Sequence, residues 1–387
     1  MLTYAARRSP GWEADKAIYE SPVLSYTEWD PLEEVIVGHV DAAMLPSWNR
    51  INRITFPPGS WTAAELRDGG GVPYPEPRVE AAKEDLAEFV GVLEAAGVRV
   101  RRPEPSRFSA GYGTPDWQVD NGFCAANPRD VLLVVGDELI EVPMADRGRY
   151  FETWPYRSLL REYFHAGARW TAAPKPQLLD GLYDPAAEDP AGDRWITTEQ
   201  EPTFDAADFV RCGRDIIGQR SHVTNDAGIA WLRRHLGPDY RVHLIDPVWT
   251  QAAHIDTTVM PIAPGKMLVN PEHYGPAGLP EPFGDWEVLV PPEPVPTRAG
   301  IFSTVSSWIS MNVLMLDERR VVVERRQEPL MEAFVTWGFE PVPCSFENFY
   351  AFAGSFHCAT LDVRRRGELR SYVDPARLDQ GSASVTV

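Results

Sequence analysis

The sequence predicts an α/β protein built from one unit used several times: a helix stopped by a glycine and followed at once by a short extended segment. Three observations carry this. The unit recurs at 78–100, 226–245 and 328–344, with a shorter copy at 156–170. Between the copies lie apolar runs such as Leu32-Glu33-Glu34-Val35-Ile36-Val37-Gly38, Asp130-Val131-Leu132-Leu133-Val134-Val135 and Asn312-Val313-Leu314-Met315-Leu316, which read as strands. The chain has 387 residues, 44% of them hydrophobic, enough for one large closed α/β architecture or for two or three ordinary domains.

In chain order, residues 1–19 read as a flexible arm, because charge is mixed and no period repeats. Residues 41–77 are rich in Pro, Gly and Trp and read as a long ordered loop. Residues 78–97 form an amphipathic helix: Leu86, Phe89, Val90 and Leu93 recur at helical spacing, and Gly97 supplies the stop. Val98-Arg99-Val100 then begins a strand. The second full copy pairs a helix from Asp226 with Gly237 and Tyr240-Arg241-Val242-His243-Leu244-Ile245. The third pairs a helix from Glu328 with Gly338 and Phe339-Glu340-Pro341-Val342-Pro343-Cys344. The short copy ends on Gly167, and a polar Pro/Asp/Gly-rich insertion follows at 180–195.

Composition removes several function classes. A formal net charge of −19 repels nucleic acid and anionic membrane surfaces. No run of eighteen apolar residues occurs, and the first ten residues have no apolar signal-peptide core, so a cytoplasmic protein is expected. The four cysteines, Cys124, Cys212, Cys344 and Cys358, show no CxxC pair, and the eight histidines show no HxH or HxxxH pair. Neither a disulfide framework nor a metal site is predicted.

The stretch Ala353-Gly354-Ser355-Phe356-His357-Cys358-Ala359-Thr360-Leu361-Asp362-Val363-Arg364-Arg365-Arg366-Gly367 sets a thiol among small residues, ahead of three arginines. Nearby positive charge lowers a thiol pKa and favours the nucleophilic thiolate; a buried structural cysteine is the plain alternative. Spacing adds to the first reading. Asp116 follows Gly97 by 19 residues, His254 follows Gly237 by 17, Cys358 follows Gly338 by 20, and Asp205 follows Gly167 by 38 across the insertion. Repeats around an axis bring equivalent loops together, so these residues are expected at one centre. In His254-Ile255-Asp256, leading to Thr257-Thr258-Val259, strand alternation turns imidazole and carboxylate into one pocket. Phe204-Asp205-Ala206-Ala207-Asp208-Phe209 is either a helix start or a buried carboxylate. One thiol, one histidine and several acids suit a cysteine nucleophile, an acid/base histidine and carboxylates that grip a guanidinium through paired hydrogen bonds.

The segments Glu28-Trp29-Asp30-Pro31-Leu32-Glu33-Glu34-Val35-Ile36-Val37-Gly38, Phe204-Asp205-Ala206-Ala207-Asp208-Phe209, His254-Ile255-Asp256, Ser310-Met311-Asn312-Val313-Leu314-Met315-Leu316-Asp317 and Ser355-Phe356-His357-Cys358-Ala359-Thr360 resemble the amidinotransferases, among them glycine amidinotransferase and the inosamine-phosphate enzymes. The likeness covers roughly residues 20–373, in order and spacing. It implies one domain over 20–373 with a tail at 374–387, folded as a five-module α/β-propeller (pentein) with pseudo-fivefold arrangement around a central active site. It further implies Cys358 as the nucleophile, His254 as acid/base and Asp205 as the third catalytic position. Asp116 and Asp256 match substrate-holding carboxylates and Ser306 matches a hydroxyl near the site. The chemistry implied is ping-pong transfer from L-arginine to a small amine, without a cofactor, by a monomer or homodimer.

Three positions depart from the pattern. Asn270-Pro271-Glu272-His273 places His273 where the family has arginine, a residue expected against the substrate's anionic end. Gln251 and Ala253 replace the residues of the glycine enzyme ahead of His254, which changes the acceptor pocket, and Ala353 stands where glycine is usual. The leading expectation is amidino transfer in specialised, antibiotic-like biosynthesis, an aminocyclitol being one candidate acceptor. Glycine as acceptor, an arginine deiminase-like hydrolase and a non-catalytic binding scaffold are the alternatives.

Overall fold

The computed structural model describes residues 21–55, 67–187, 194–245, 254–274, 279–301 and 303–378. In chain order its strands are β1 Leu32–Val37, β2 Arg99–Arg101, β3 Tyr112–Gly113, β4 Gln118–Val119, β5 Leu132–Val135, β6 Glu138–Glu141, β7 Arg169–Ala172, β8 Phe209–Cys212 and β9 Asp215–Gln219. They continue with β10 Arg241–Ile245, β11 Val259–Ala263, β12 Lys266–Val269, β13 Glu287–Leu289, β14 Leu314–Met315, β15 Arg320–Glu324, β16 Glu340–Cys344 and β17 Thr360–Arg365. Among the described residues these make five three-stranded sheets and one two-stranded ribbon, β3-β4.

Every three-stranded sheet follows one plan. Two strands pair antiparallel, and a third returns parallel to the second, as in β5-β6-β7 and β14-β15-β16. In the first sheet the last strand, β17, takes the opening position: Val37 lies opposite Thr360 and Leu32 opposite Arg365, with β2 parallel on the other side of β1. Both ends of the described chain therefore meet in one sheet.

Parallel return needs a crossover, and four of them are the predicted helices Glu76–Ala95, Arg157–His165, Asp226–Leu236 and Glu328–Thr336. Just beyond each stands a glycine at positive φ: Gly97 at 87°, Gly167 at 103°, Gly237 at 67° and Gly338 at 91°. A residue with a Cβ strains in that left-handed region, which is why the glycine stop was visible in sequence. The crossover from β12 to β13 contains only the short 3-10 turn Glu281–Phe283 among its described residues, and no helix-glycine unit was predicted there.

Some expectations shift. The stretch 41–77 is not all loop, since Arg50–Thr55 is helical. Residues 130–135 are not one strand: Pro128–Val131 is a helical turn and β5 starts at Leu132. The expected arm, 1–19, and the end of the expected tail lie outside the described residues, although Pro375–Leu378 forms a helical turn.

The predicted apolar face of the Glu76–Ala95 helix is buried through Leu86, Phe89 and Leu93. Phe89 meets Phe356 edge-on at 5.0 Å and Phe346 at 5.2 Å, and Phe346 stacks on Phe356 at 4.5 Å. Burying each such ring contributes about 2–3 kcal/mol. This aromatic packing anchors the turn that carries Cys358, two residues after Phe356.

Candidate active site

Each first strand of a sheet is preceded by a short turn with a polar residue in it or beside it. Asp130 stands two residues before β5, Asp205 four before β8, Asp256 three before β11, Asn312 two before β14 and Cys358 two before β17. Turn followed by strand places one side chain at the same end of every module. The structure brings these side chains together.

Cys358 is 3% exposed, yet its surroundings are polar. Its backbone N–H donates to Asn312 Oδ1 at 3.0 Å, and Asn312 Nδ2 donates to its Sγ at 3.1 Å. The thiol lies 3.5 Å from Asp256 Oδ2, and donor atoms of Asp130, His254 and Cys358 all fall within 4.8 Å of one another. Gly354 is required by this close packing, because a Cβ there would stand 2.7 Å from the Cys358 Cβ and 2.6 Å from Asn127 Oδ1.

His254 pairs through Nε2 with Asp205 Oδ2 at 3.1 Å, and its Nδ1 lies 3.7 Å from Asp130 Oδ1. Burial alone lowers its pKa, but the Asp130 charge and hydrogen bonds to Asp205 and Cys358 outweigh this and hold the imidazole well above its ordinary value. Burial, reinforced by the Asp256 charge and eased by the His254 hydrogen bond, pushes the Cys358 thiol up to about 12. In the free protein both groups therefore hold their protons at neutral pH. The three arginines do not lower the thiol as expected. Arg365 is buried and bonded to Asp362 at 2.8 Å, while Arg364 turns to Glu33.

Arg149, which the sequence did not single out, ties the acids together. It donates to Asp130 Oδ2 at 2.9 Å and to both oxygens of Glu152 at 2.6 and 2.8 Å, and lies 3.6 Å from Asp205 Oδ2. Asp130 Oδ1 and Asp205 Oδ1 are buried and accept no hydrogen bond among the described residues. Beside them a cavity of about 620 Å³ is lined by His254, Asp130 and Asp205 and also by Asn49, Asp146 and Arg147.

The other predicted positions fall elsewhere. Asp116 is exposed in the turn between β3 and β4 and accepts from Gln177 at 3.1 Å. Asp130 takes the place expected of it, because the β3-β4 ribbon lengthens the path from Gly97 to the next sheet. Ser306 is exposed at the start of the 3-10 turn Ser307–Met311; its neighbours Thr304 and Val305 line the cavity. His273 is buried behind the site with Nδ1 3.1 Å from the Thr257 carbonyl, and burial brings its pKa down to about 4. Like Cys358 and Asp256 it is not among the residues that line the cavity, and with its pKa lowered it offers no fixed positive charge, so it is no simple substitute for an anion-binding arginine. His254 and Asp256 share the site through the 3-10 turn Ile255–Thr257, not through strand alternation. Gln251 and Ala253 lie outside the described residues.

No family model matches the chain, but whole proteins do. It is 51% identical to the L-arginine:L-lysine amidinotransferase of Pseudomonas savastanoi pv. phaseolicola over 359 residues, 92% of this chain and 98% of that protein. It is 44% identical to the mitochondrial glycine amidinotransferase of Gallus gallus over 367 residues, 92% of this chain and 86% of that one. Among solved structures it resembles SxtG, an amidinotransferase from Microseira wollei in the saxitoxin biosynthetic pathway, at 58% identity and TM-score 0.85, covering 91% of this chain and 99% of that one. The inosamine-phosphate amidinotransferase StrB1 from Streptomyces griseus follows at 39% identity and TM-score 0.84, covering 92% and 100%. A dimethylarginine dimethylaminohydrolase from Pseudomonas aeruginosa, at 15% identity and TM-score 0.52 over 86% of this chain and 99% of that one, shares the pentein fold alone. With modules, sheet plan and relatives in agreement, the chain belongs to the amidinotransferase family, the pentein enzymes that transfer a one-carbon amidino group.

Proposed function

We propose that this enzyme takes the amidino group of L-arginine onto Cys358 and passes it to a small amine of a specialised biosynthetic pathway. The observation that carries the reading is the thiol of Cys358, held by Asn312, within 4.8 Å of His254 and Asp130. Asp130 and Asp205 each offer a buried oxygen to the cavity region, and a planar guanidinium is the cation whose paired N–H groups match two carboxylates.

The proton inventory fits. A guanidinium brought beside Asp130 and Asp256 opposes the negative field that raises the thiol, so binding of the donor favours loss of the thiol proton to solvent. The Cys358 thiolate attacks the guanidinium carbon, an S–C bond forms, and His254, already protonated, gives its proton to the departing amine as the C–N bond breaks. The products of this half are ornithine and an amidino-thioether. Neutral His254 then takes a proton from the incoming amine, whose nitrogen attacks the same carbon and releases the thiolate.

Acceptor choice rests on relatives. Their names point to lysine, glycine, an inosamine phosphate and a saxitoxin-pathway amine. We rank a specialised-metabolite amine first, an aminocyclitol among the candidates, and glycine second. Residues 20–373 act as one domain in this reading, in the cytoplasm; no helix among the described residues is long and apolar enough to cross a membrane.

Incubation with arginine, with and without a panel of amines, tests the proposal. Ornithine plus a new guanidine supports transfer, citrulline supports a hydrolase, and no amidino adduct on Cys358 by intact mass leaves only a binding scaffold.

A further inference from the structure

His357 adjoins the nucleophile in sequence, but its ring is held in the floor of the site. Its Nδ1 lies 2.8 Å from Asp256 Oδ2 and its Nε2 3.3 Å from Glu28 Oε2, and all three side chains are 1% exposed. Asp256 Oδ2 is also the atom 3.5 Å from Cys358 Sγ. Below, Arg211 grips Glu28 with Nε on Oε1 at 2.8 Å and Nη2 on Oε2 at 2.7 Å, and Arg129 reaches the same carboxylate at 3.4 Å. Asp362 joins both arginines at 2.7 Å. Arg129 Nε also donates to the His357 carbonyl at 2.9 Å.

An ionised carboxylate only accepts hydrogen bonds. Burial raises the pKa of both Glu28 and Asp256, but their partners, led by Arg211 and Arg129 for Glu28 and by His357 for Asp256, bring both below the ordinary range. Both contacts of His357 are satisfied together only when both ring nitrogens donate. We infer that His357 is a positioning residue for amidino transfer: clamped between Asp256 and Glu28, it fixes the Asp256 carboxylate against the thiol by donating to Oδ2. Without it, that oxygen faces a forming thiolate across 3.5 Å with no hydrogen-bond donor left on it. The clamp rests on the reading of Cys358 as nucleophile, and none of its residues is among those that line the cavity.

Two substitutions separate the halves of the clamp. His357→Asn keeps a donor where Nδ1 stands, toward Asp256; His357→Gln keeps one where Nε2 stands, toward Glu28. The readout is the rate of Cys358 alkylation by iodoacetamide against pH, located by mass, which needs no substrate. Both variants replace the ring by a neutral amide, and the other charged groups around the thiol, Asp130, His254 and Asp256, are unchanged, so the two differ only in which donor remains. We expect the Gln variant to react about tenfold more slowly at a given pH, a displacement of about one unit upward, and the Asn variant to stay within about threefold of wild type. Equal losses in both, or no displacement in the Gln variant, overturn the clamp. Should either variant fail to fold, nitrogen NMR of histidine-labelled wild-type protein decides: a His357 ring whose Nδ1 carries no proton overturns it. Wild-type protein that alkylates as expected yet takes no amidino group from arginine sinks the proposed transfer, not the clamp.

Discussion

Asn312 is bonded to Cys358 at both ends of its amide, accepting from the backbone N–H at 3.0 Å and donating to the sulfur at 3.1 Å. One side chain thus fixes where the thiol stands and, on the proposed mechanism, stabilises the thiolate it becomes. Asn312→Ala leaves a buried N–H unpaired, which costs about 1–3 kcal/mol. Amidino-adduct formation in a single turnover should fall by about 10- to 100-fold. A loss of less than about threefold in quenched-flow mass measurements contradicts this role.

The raised thiol predicts a pH profile. With the Cys358 pKa pushed up to about 12, the reactive anion is scarce at neutral pH, and its share grows tenfold per unit. Alkylation of the free protein should therefore climb steadily from pH 7 to 10 with no plateau near the ordinary thiol value of 9.0. Asp256→Asn removes a charge that raises the thiol, so its profile should move to lower pH. A plateau below pH 9 in wild-type protein contradicts the burial assigned here.

Ala353 lies beside the cavity with φ of 62°, in the left-handed region. Glycine adopts that conformation without the Cβ clash, and alanine there costs about 1 kcal/mol. Ala353→Gly should raise the unfolding free energy by about that amount in guanidinium titrations, and an unchanged midpoint argues against strain.

The charge network under the site should dominate acid stability. Removing one partner of a buried ion pair costs about 3–5 kcal/mol, so Arg211→Met or Asp362→Ala should destabilise by that much in chemical denaturation. Glu28 is held below its ordinary value of 4.5, since Arg211 and Arg129 overcome the upward push of burial, and Asp362 is lowered in the same way by Arg129, Arg365 and Arg211. Their contribution is complete above the ordinary carboxylate range and disappears as pH falls through the lowered values. Wild-type stability should drop steeply below pH 4, and the difference between wild type and Asp362→Ala should shrink there.

The helix-glycine-strand units were legible because two strong local signals coincide, apolar spacing and a left-handed stop such as Gly97 at φ 87°. Cys358, His254, Asp205 and Asp256 were also legible, as polar groups in apolar or small-residue settings, and the structure gathers them. Asp116 was misplaced because spacing was counted forward from glycines. The register is kept by counting back from the next sheet's first strand, and insertions such as β3-β4 fall in between. Asp130 was hidden at the head of an apolar run that reads as strand; its one signal was a charge adjoining Val131-Leu132-Leu133. Arg149 and His357 matter through long-range partners, at separations no local pattern encodes.

The pairing of β17 with β1 has a bearing on biosynthetic timing. Thr360–Arg365 finishes the sheet that Leu32–Val37 opens, and the sulfur arrives two residues ahead of that final strand. A nascent polypeptide still short of Arg365 therefore lacks the completed opening sheet that anchors the Cys358 turn. On the proposed mechanism, a prematurely terminated product should be inert instead of half-working.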